Sequence, residues 1–278
     1  MSILNGNISL DVTFPISMPF GAQMEEITCI PELSLTAAAL DKQTLICGGQ
    51  GVISLHNIDE NGNSKEISSL KIFGNARQIG VYNGFAYVST RESGVSVCDL
   101  TNPQNPILAY QIDSLELATG IAVDSGVLAI TNRHMGCELY DVRDPYHPRR
   151  LNDFQCGEAQ SVYLYENLAI VSHWMGREAA IFDISNPMDI QRISSFSVDG
   201  FADGVCVIKH AERLICLVGT GHHSTRLKNR RKYKNFAFVT AEMIAEGYGG
   251  GHGVEIFDIT NPSMPEWLST LKTPPLFG

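Results

Sequence analysis

The sequence lacks several features that would assign it to a protein class at once. It has no apolar run of about 18 residues, so no membrane-spanning helix is expected. Its first seven residues lack the basic and apolar regions of a secretory signal. Gly-rich phosphate-binding motifs, the Gly-x-Ser-x-Gly of serine hydrolases and the Cys-x-x-Cys of zinc ribbons do not occur. Those three classes are therefore excluded.

Cysteine and basic residues are both scarce. The 278 residues include seven Cys, an odd number, and the net charge is −10. The charge disfavours nucleic acid as a partner. Five of the Cys fall inside predicted strands, where a small thiol suits a core, so we expect a reducing, cytoplasmic setting without disulfides. These five are Cys47, Cys98, Cys137, Cys206 and Cys216.

A short motif recurs along the chain and organises it. Each copy begins with an apolar run that leads to an Asp. A Ser, Thr or Arg follows two residues after the Asp, and a Pro two residues after that. The copies are residues 97–103, 139–145, 181–187 and 256–262. Asp99, Asp141 and Asp183 are 42 residues apart, and Asp258 follows after one period plus 33 residues. A degenerate copy precedes them, with His56 at the Asp position. Such a period indicates a repeat architecture.

Each period predicts four short antiparallel strands. Within a copy, a strand of alternating apolar residues leads into a turn. The Asp carboxylate can accept hydrogen bonds from the backbone N–H groups of this turn, and the Pro ends the strand. Between copies, further alternating segments and turn signals such as Asn83-Gly84 complete a four-stranded blade. Five complete units predict an all-β, five-bladed β-propeller over residues 33–278. Residues 1–32 do not fit the repeat and are expected to supply a ring-closing strand; a sixth blade built from both termini stays open as an alternative.

The motif resembles the LVIVD-repeat family of β-propeller proteins, whose blades carry an apolar–Val–Asp–apolar–Ser/Thr–Asn–Pro strand end. The resemblance extends roughly from Leu33 to Lys272. It implies the propeller fold, and it does not imply one function.

The 33 additional residues lie between Gly219 and Gly253 and predict a flap at residues 220–251. Six of the twenty basic residues fall within it, from Arg226 to Lys234. Two interpretations remain open for this basic flap. It is either ordinary solvated surface, or it steers an anionic ligand towards the propeller.

Polar residues converge on one predicted face of the propeller. Strands A and C start, and strands B and D end, on this face. Aligning the ends of strand B places Arg91, Arg133, His173 and Thr220 at equivalent positions, followed by Glu92, His134, Trp174 and Gly221. His222 and His223 come next, and His252 precedes the last C strand. The starts of strand A add Arg77, Thr119, Gln160 and Asp203 around the channel mouth. Binding residues on rigid scaffolds gather in this way.

Three chemistries fit this face, and the sequence leaves all three open. A divalent metal ion would use His134, His173, His222 or His223, and His252, with Glu92 or Asp203 as carboxylate. A nucleophilic Cys156 would need His134 or His173 as base. Acid–base catalysis by His would need Arg residues to hold an anion. The candidate catalytic residues are His134, His173, His222, His223 and Cys156. The candidate substrate-binding residues are Arg77, Arg91, Arg133, Arg177, Trp174 and Asp203.

Two functions follow from these observations. The first is a binder of an anionic small molecule or saccharide, with lyase or hydrolase chemistry if it is an enzyme. The second is a non-catalytic scaffold for a protein partner, which is another common use of propellers. A deep pocket with convergent His side chains would favour the first function, and a flat apolar rim the second.

Overall fold

Twenty β-strands make up the part of the chain that the computed structural model describes, residues 35–59, 63–221 and 253–272. Among these residues, no helix is long and apolar enough to cross a membrane. The strands are β1 (Ala37–Asp41), β2 (Thr44–Gly48), β3 (Gln50–Ile58), β4 (Ser64–Asn75), β5 (Gln78–Tyr82), β6 (Phe85–Ser89), β7 (Val95–Asp99), β8 (Ile107–Ile112), β9 (Gly120–Asp124), β10 (Val127–Thr131), β11 (Cys137–Asp141), β12 (Arg149–Phe154), β13 (Ala159–Tyr165), β14 (Leu168–His173), β15 (Glu178–Asp183), β16 (Gln191–Ser197), β17 (Phe201–His210), β18 (Arg213–Gly221), β19 (Gly253–Asp258) and β20 (Glu266–Lys272).

Each four consecutive strands form one antiparallel sheet, in which neighbours along the chain are neighbours in the sheet. The five sheets are the blades of a β-propeller, which confirms the predicted fold. Blades 1 to 5 start at β1, β5, β9, β13 and β17, and the four strands of each blade are called A to D. The A strands contact one another in succession from blade 1 to blade 5, so they are the innermost strands.

The recurring Asp is a turn residue, as predicted. In four blades its carboxylate accepts the backbone N–H of the residue two positions on, at 2.8–3.1 Å. Three residues after each of these Asp residues lies an Asn or a second Asp. Its side-chain oxygen likewise accepts the backbone N–H of the residue two positions further on. The motif therefore encodes two successive side-chain-to-backbone turns, which end strand C and start the return to strand D.

The degenerate copy in blade 1 has Asn57, not His56, at the Asp position. Thr44 pairs with Asn57 just as Phe85 pairs with Asp99 in blade 2. His56 instead lies one residue earlier in the strand, buried, and its Nε2 contacts Ser54 at 2.9 Å. The prediction for His56 was wrong. The regular period points to the correct residue, because Asn57 lies 42 residues before Asp99.

Four hydrophobic cores hold the blades together, one between each successive pair from blade 1 to blade 5. At three of these junctions a D-strand side chain also donates to the Pro carbonyl of the next blade; the pairs are Ser68–Pro103, Asn152–Pro187 and Ser194–Pro262, each at 2.6 Å. Within the described ranges, no comparable core joins blade 5 to blade 1. Leu40 of blade 1 is 61% exposed, and Cys206 and Ile208 of blade 5 are exposed as well. The expected core position of Cys206 was therefore wrong, whereas Cys47, Cys98, Cys137 and Cys216 are buried.

Blades 3 and 5 each contain a buried glutamate at the same position of strand C. Glu138 of blade 3 is 1% exposed and accepts hydrogen bonds from Leu115 N, Asn132 Nδ2 and Arg150 Nε at 2.8–3.0 Å. Glu255 occupies the corresponding position in blade 5 and accepts the N–H of Asp199 at 2.8 Å. Each carboxylate thus holds the segment that leads from the preceding blade. The predicted N-terminal segment 1–32 and most of the basic flap lie outside the described residues.

Candidate functional site

The face predicted to carry the site is built at the junctions between blades; we call it the arginine face. The residues that follow strand B form backbone hydrogen bonds with the residues at the start of the inner strand of the next blade. Arg91 pairs with Ala118, Arg133 pairs with Ala159, and Trp174 N–H donates to Glu158 O at 2.9 Å. The backbone therefore fixes these side chains around the channel mouth.

The alignment that placed His173 and Thr220 level with Arg133 is wrong by one residue. In the strand pairing, Trp174 occupies the position of Arg133, and His173 and Thr220 occupy that of Asn132. In blade 4 the cause is a link between strands B and C that is one residue longer than in blade 3. The spacing between the Asp residues is unchanged, so the period hides this shift.

Two inner strands carry irregularities at the channel mouth. In blade 4 the pairing of strands A and B shifts at Gln160, and in blade 5 it shifts at Asp203 and Gly204. The inner strands of blades 2 and 3 pair with strand B without such a shift. Bulges of this kind turn a side chain out of the ladder and are common beside functional sites. Neither bulge was evident from the sequence.

Asp203, Gln160 and Arg77 meet at this mouth although they come from three blades. Protein around the Asp203 carboxyl raises its pKa, while the Gln160 side chain hydrogen-bonds to it and the Arg77 charge favours the ionised form. Asp203 is exposed to solvent as a whole residue, although protein atoms surround its carboxyl group at the channel mouth. Ser172 Oγ donates to the Asp203 carbonyl at 2.6 Å and fixes the bulge to blade 4. A carboxyl with a raised pKa in a cleft is a typical functional group.

The four candidate Arg residues differ in their partners. Arg133 Nε donates to Glu158 at 3.0 Å, and Arg177 lies 3.8 Å from Asp199, so acids already neutralise these two. Arg77 is exposed beside the channel. Arg91 has its Nε buried without a hydrogen-bond partner in the described structure, and its φ of 58° is a strained value for a non-glycine residue. Of these four candidates, Arg77 and Arg91 form no ion pair within 4 Å among the described residues, and Arg77 acts on Asp203 only through its charge, so these two are best placed to bind an anion.

The His173 imidazole is held tightly by its surroundings. Its Nδ1 lies 3.4 Å from Glu178, whose carboxylate also accepts from Arg192 at 3.0 Å. Two glycines make room for the ring, since a Cβ at Gly157 would lie 2.3 Å from it and a Cβ at Gly176 only 2.1 Å. A carboxylate on one imidazole nitrogen orients the ring, as in many catalytic and ligand-binding sites. The sequence did not reveal Glu178 or the two glycines.

His134 lies in a different setting. It is exposed at the tip of its turn, and its backbone N–H donates to Glu116 at 2.8 Å. Among the described residues no three His, Cys, Asp or Glu side chains are arranged to hold a metal ion. His222, His223 and His252 lie outside the described residues, so the metal set predicted from the sequence is only partly represented here.

Two other candidates lie against apolar neighbours. Trp174 stacks on Phe201, with ring centroids 5.4 Å apart and the planes 15° from parallel. Cys156 belongs to the core between blades 3 and 4. Burial raises the pKa of the Cys156 thiol to about 12, although the Arg192 charge opposes this. A nucleophilic Cys needs a lowered pKa, so the surroundings of Cys156 are those of a core residue.

Comparison with known proteins agrees with the architecture. The LVIVD repeat family model matches residues 73–114 and 156–197, which contain blades 2 and 4, and confirms the resemblance there. No curated protein matches the chain significantly.

Several solved structures share the fold at low identity. A protein from Bacteroides uniformis described as a candidate 6-phosphogluconolactonase is 10% identical, with a TM-score of 0.63 over 89% of this chain and 74% of its own. A chain from the Mitotic Checkpoint Complex is 11% identical, with a TM-score of 0.58 over 84% of this chain. The present chain spans 64% of that chain's length. The computationally designed Ika8 protein is 11% identical, with a TM-score of 0.54 over 86% of this chain and 68% of its own. At these identities the likeness concerns the fold alone.

Proposed function

The chain carries LVIVD repeats on a five-bladed propeller, and we propose that it binds an anionic, hydroxyl-rich small molecule, such as a sugar acid or sugar phosphate, at the mouth of its channel. The observation that carries this proposal is the meeting of Asp203, Gln160 and Arg77 at the two bulged inner strands. A carboxyl and an amide bind hydroxyl groups. Arg77 and Arg91 supply the planar donors that suit a carboxylate or phosphate.

The same residues suggest the chemistry if the protein is an enzyme. Because the surrounding protein raises the pKa of Asp203, this carboxyl is the group best suited to exchange a proton with the ligand. His173, oriented by Glu178, is the second candidate on this face. Hydrolysis of an ester or lactone by water, or an elimination, requires such proton transfer. The likeness to the Bacteroides uniformis protein concerns the fold alone and does not by itself assign a lactonase activity to this chain.

Binding of 6-phospho-D-gluconate, measured by isothermal titration calorimetry, tests the proposal. We expect Arg77→Ala to weaken binding about 10-fold or more, in line with loss of a charge-assisted contact. We expect the wild-type affinity to fall as salt is raised, since the attraction is electrostatic. Lys71→Ala is the matched control, because Lys71 is an exposed cation on strand D of blade 1, away from the channel.

Two outcomes would contradict the proposal. One is the absence of binding by wild-type protein to 6-phospho-D-gluconate, D-gluconate and inorganic phosphate alike. The other is equal weakening by Arg77→Ala and Lys71→Ala, which would mean that only net charge matters. Either result would leave the protein-scaffold function as the better explanation of this face.

A further inference from the structure

The face opposite the arginine face carries grooves between neighbouring blades; we call it the turn face, since the Asp turns and the A–B hairpins lie there. Between blades 2 and 3 an aromatic pair fills the groove. The Phe85 and Tyr146 rings meet edge to face, with centroids 5.6 Å apart and planes at 86°. The Tyr146 hydroxyl donates to the Asp99 carboxylate. One phenol ring thus closes this groove by packing and by one hydrogen bond.

The groove between blades 1 and 2 lacks this aromatic pair. By strand pairing, Thr44 corresponds to Phe85, and Asn57 corresponds to Asp99. Gln104, which follows Pro103, corresponds to Tyr146, which follows Pro145. A hydroxyl and an amide therefore stand where the neighbouring groove has two aromatic rings.

A cavity of about 960 Å³ opens in this groove. Its walls include Thr44, Asn57 and Thr101, and Asp41 and Lys42 add one charge of each sign. The apolar part of the lining is Leu100 and Pro103, together with Ile46 and Leu55 of the core between blades 1 and 2, which are 0% exposed. The cavity thus combines apolar surface with hydrogen-bonding groups, which is the usual composition of a small-molecule site.

The outer strands on the two sides of this groove are joined to the next blade in the usual way. Ser68 Oγ donates to Pro103 O at 2.6 Å, and the corresponding bond from Asn152 to Pro187 O, at a junction without this cavity, is also 2.6 Å. Blades 1 and 2 are thus joined in the same way as blades 3 and 4. The cavity lies between blades 1 and 2, where Thr44, Asn57 and Gln104 are smaller or less rigid than the aromatic pair of the next groove.

We propose that this cavity binds a small molecule bearing a phenolic ring. The ring would pack against Leu100 and Pro103, and its hydroxyl would donate to the side-chain oxygen of Asn57, as Tyr146 donates to Asp99 in the next groove. Asp41 and Lys42 offer contacts to charged substituents on the ring. The site is separate from the channel mouth, because the turn face and the arginine face lie at opposite ends of the strands.

p-Cresol, the side chain of tyrosine as a free molecule, is the direct probe. Titration followed by NMR should give a dissociation constant on the order of 1 mM, as is usual for a ligand of this size. Gln104→Tyr should weaken p-cresol binding at least 10-fold, because the new ring would occupy the cavity as Tyr146 does. Ser263→Tyr is the matched control, since Ser263 follows Pro262 at the same turn position in blade 5, and it should leave binding unchanged. Toluene should bind at least 10-fold more weakly than p-cresol, because it lacks the hydroxyl.

The proposal is overturned if wild-type protein does not bind p-cresol at 10 mM, on the order of ten times the expected constant. It is equally overturned if Gln104→Tyr binds as wild type, or if toluene and p-cresol bind alike. Thr44→Phe provides a second blocking variant in case Gln104→Tyr turns its ring to solvent. Circular dichroism of each variant should match wild type, and any loss of binding of 6-phospho-D-gluconate would indicate misfolding rather than a filled cavity.

Discussion

Thr101 donates two hydrogen bonds to a single oxygen of Asp99, from its backbone N–H at 2.8 Å and from its hydroxyl at 2.6 Å. Thr260 repeats the arrangement with Asp258, at 2.9 and 2.6 Å. The Thr of the motif therefore closes its own turn onto the Asp. Where Arg143 replaces the Thr, its guanidinium bonds the carboxylate of Asp141 instead.

Asp258→Ala should destabilise the protein by about 1–3 kcal/mol, because a carboxylate that accepts several charge-assisted bonds is lost. The side chain is only 15% exposed, and Arg213 also contacts it at 2.6 Å. Chemical denaturation would measure the change. Asp113→Ala is the control, since Asp113 is an exposed residue between strands, and it should stay within about 0.5 kcal/mol of wild type. Equal effects of the two substitutions would refute a structural role for the turn carboxylate.

Stability should fall as the pH drops below about 4, the usual range for Asp. Hydrogen bonds from Arg143 lower the pKa of Asp141, and those from Ser185 lower the pKa of Asp183. A carboxyl with a lowered pKa in the folded state stabilises the protein above the unfolded pKa. That contribution is lost as the pH falls through the folded value. Urea midpoints at pH 6, 4 and 3 would show the decline, and a constant midpoint would contradict it.

Asp203→Asn should have the opposite sign. The pKa of Asp203 is raised mainly because surrounding protein displaces water from its carboxyl, so its ionised form costs stability at neutral pH even though the residue is exposed at the channel mouth. The amide should therefore raise the thermal midpoint at pH 7, and the gain should disappear below the unfolded pKa of about 3.9. Binding of 6-phospho-D-gluconate should weaken at the same time, since stability is commonly given up at functional sites. A variant less stable than wild type at pH 7 would show that the carboxylate serves the fold.

Sequence patterns predicted the architecture because the Asp turn is local chemistry. An Asp that accepts the N–H two residues on forms the same turn in any blade, so the repeat revealed five blades. The channel mouth was harder to predict. The bulges at Gln160 and Asp203 arise from pairing between strands and leave no mark on the spacing of the Asp residues. The shift at His173 was hidden for the same reason, and Glu178 becomes evident only once strands B and C are paired.

Gly176→Ala should displace the His173 ring, because the added Cβ would lie 2.1 Å from Nδ1. The contact with Glu178 would then break, and the imidazole resonances of His173 should shift in NMR spectra. Gly204→Ala is the matched control, since a Cβ there meets no heavy atom within 4 Å. It should leave those resonances in place. If Gly176→Ala also leaves them in place, the ring is not confined as described.

Within residues 35–59, 63–221 and 253–272, four hydrophobic cores join the five blades in a row, and none joins blade 5 to blade 1. In such a row each unit is stabilised by its neighbours, so inner units open last. Amide protons of blade 3, which has a core on both sides, should exchange with deuterium more slowly than those of blades 1 and 5. The channel mouth draws on both kinds of blade, because Gln160 belongs to blade 4 and Asp203 to blade 5. A ligand that bridges these two residues would therefore slow exchange at the end of the row, and a local opening of blade 5 would release it.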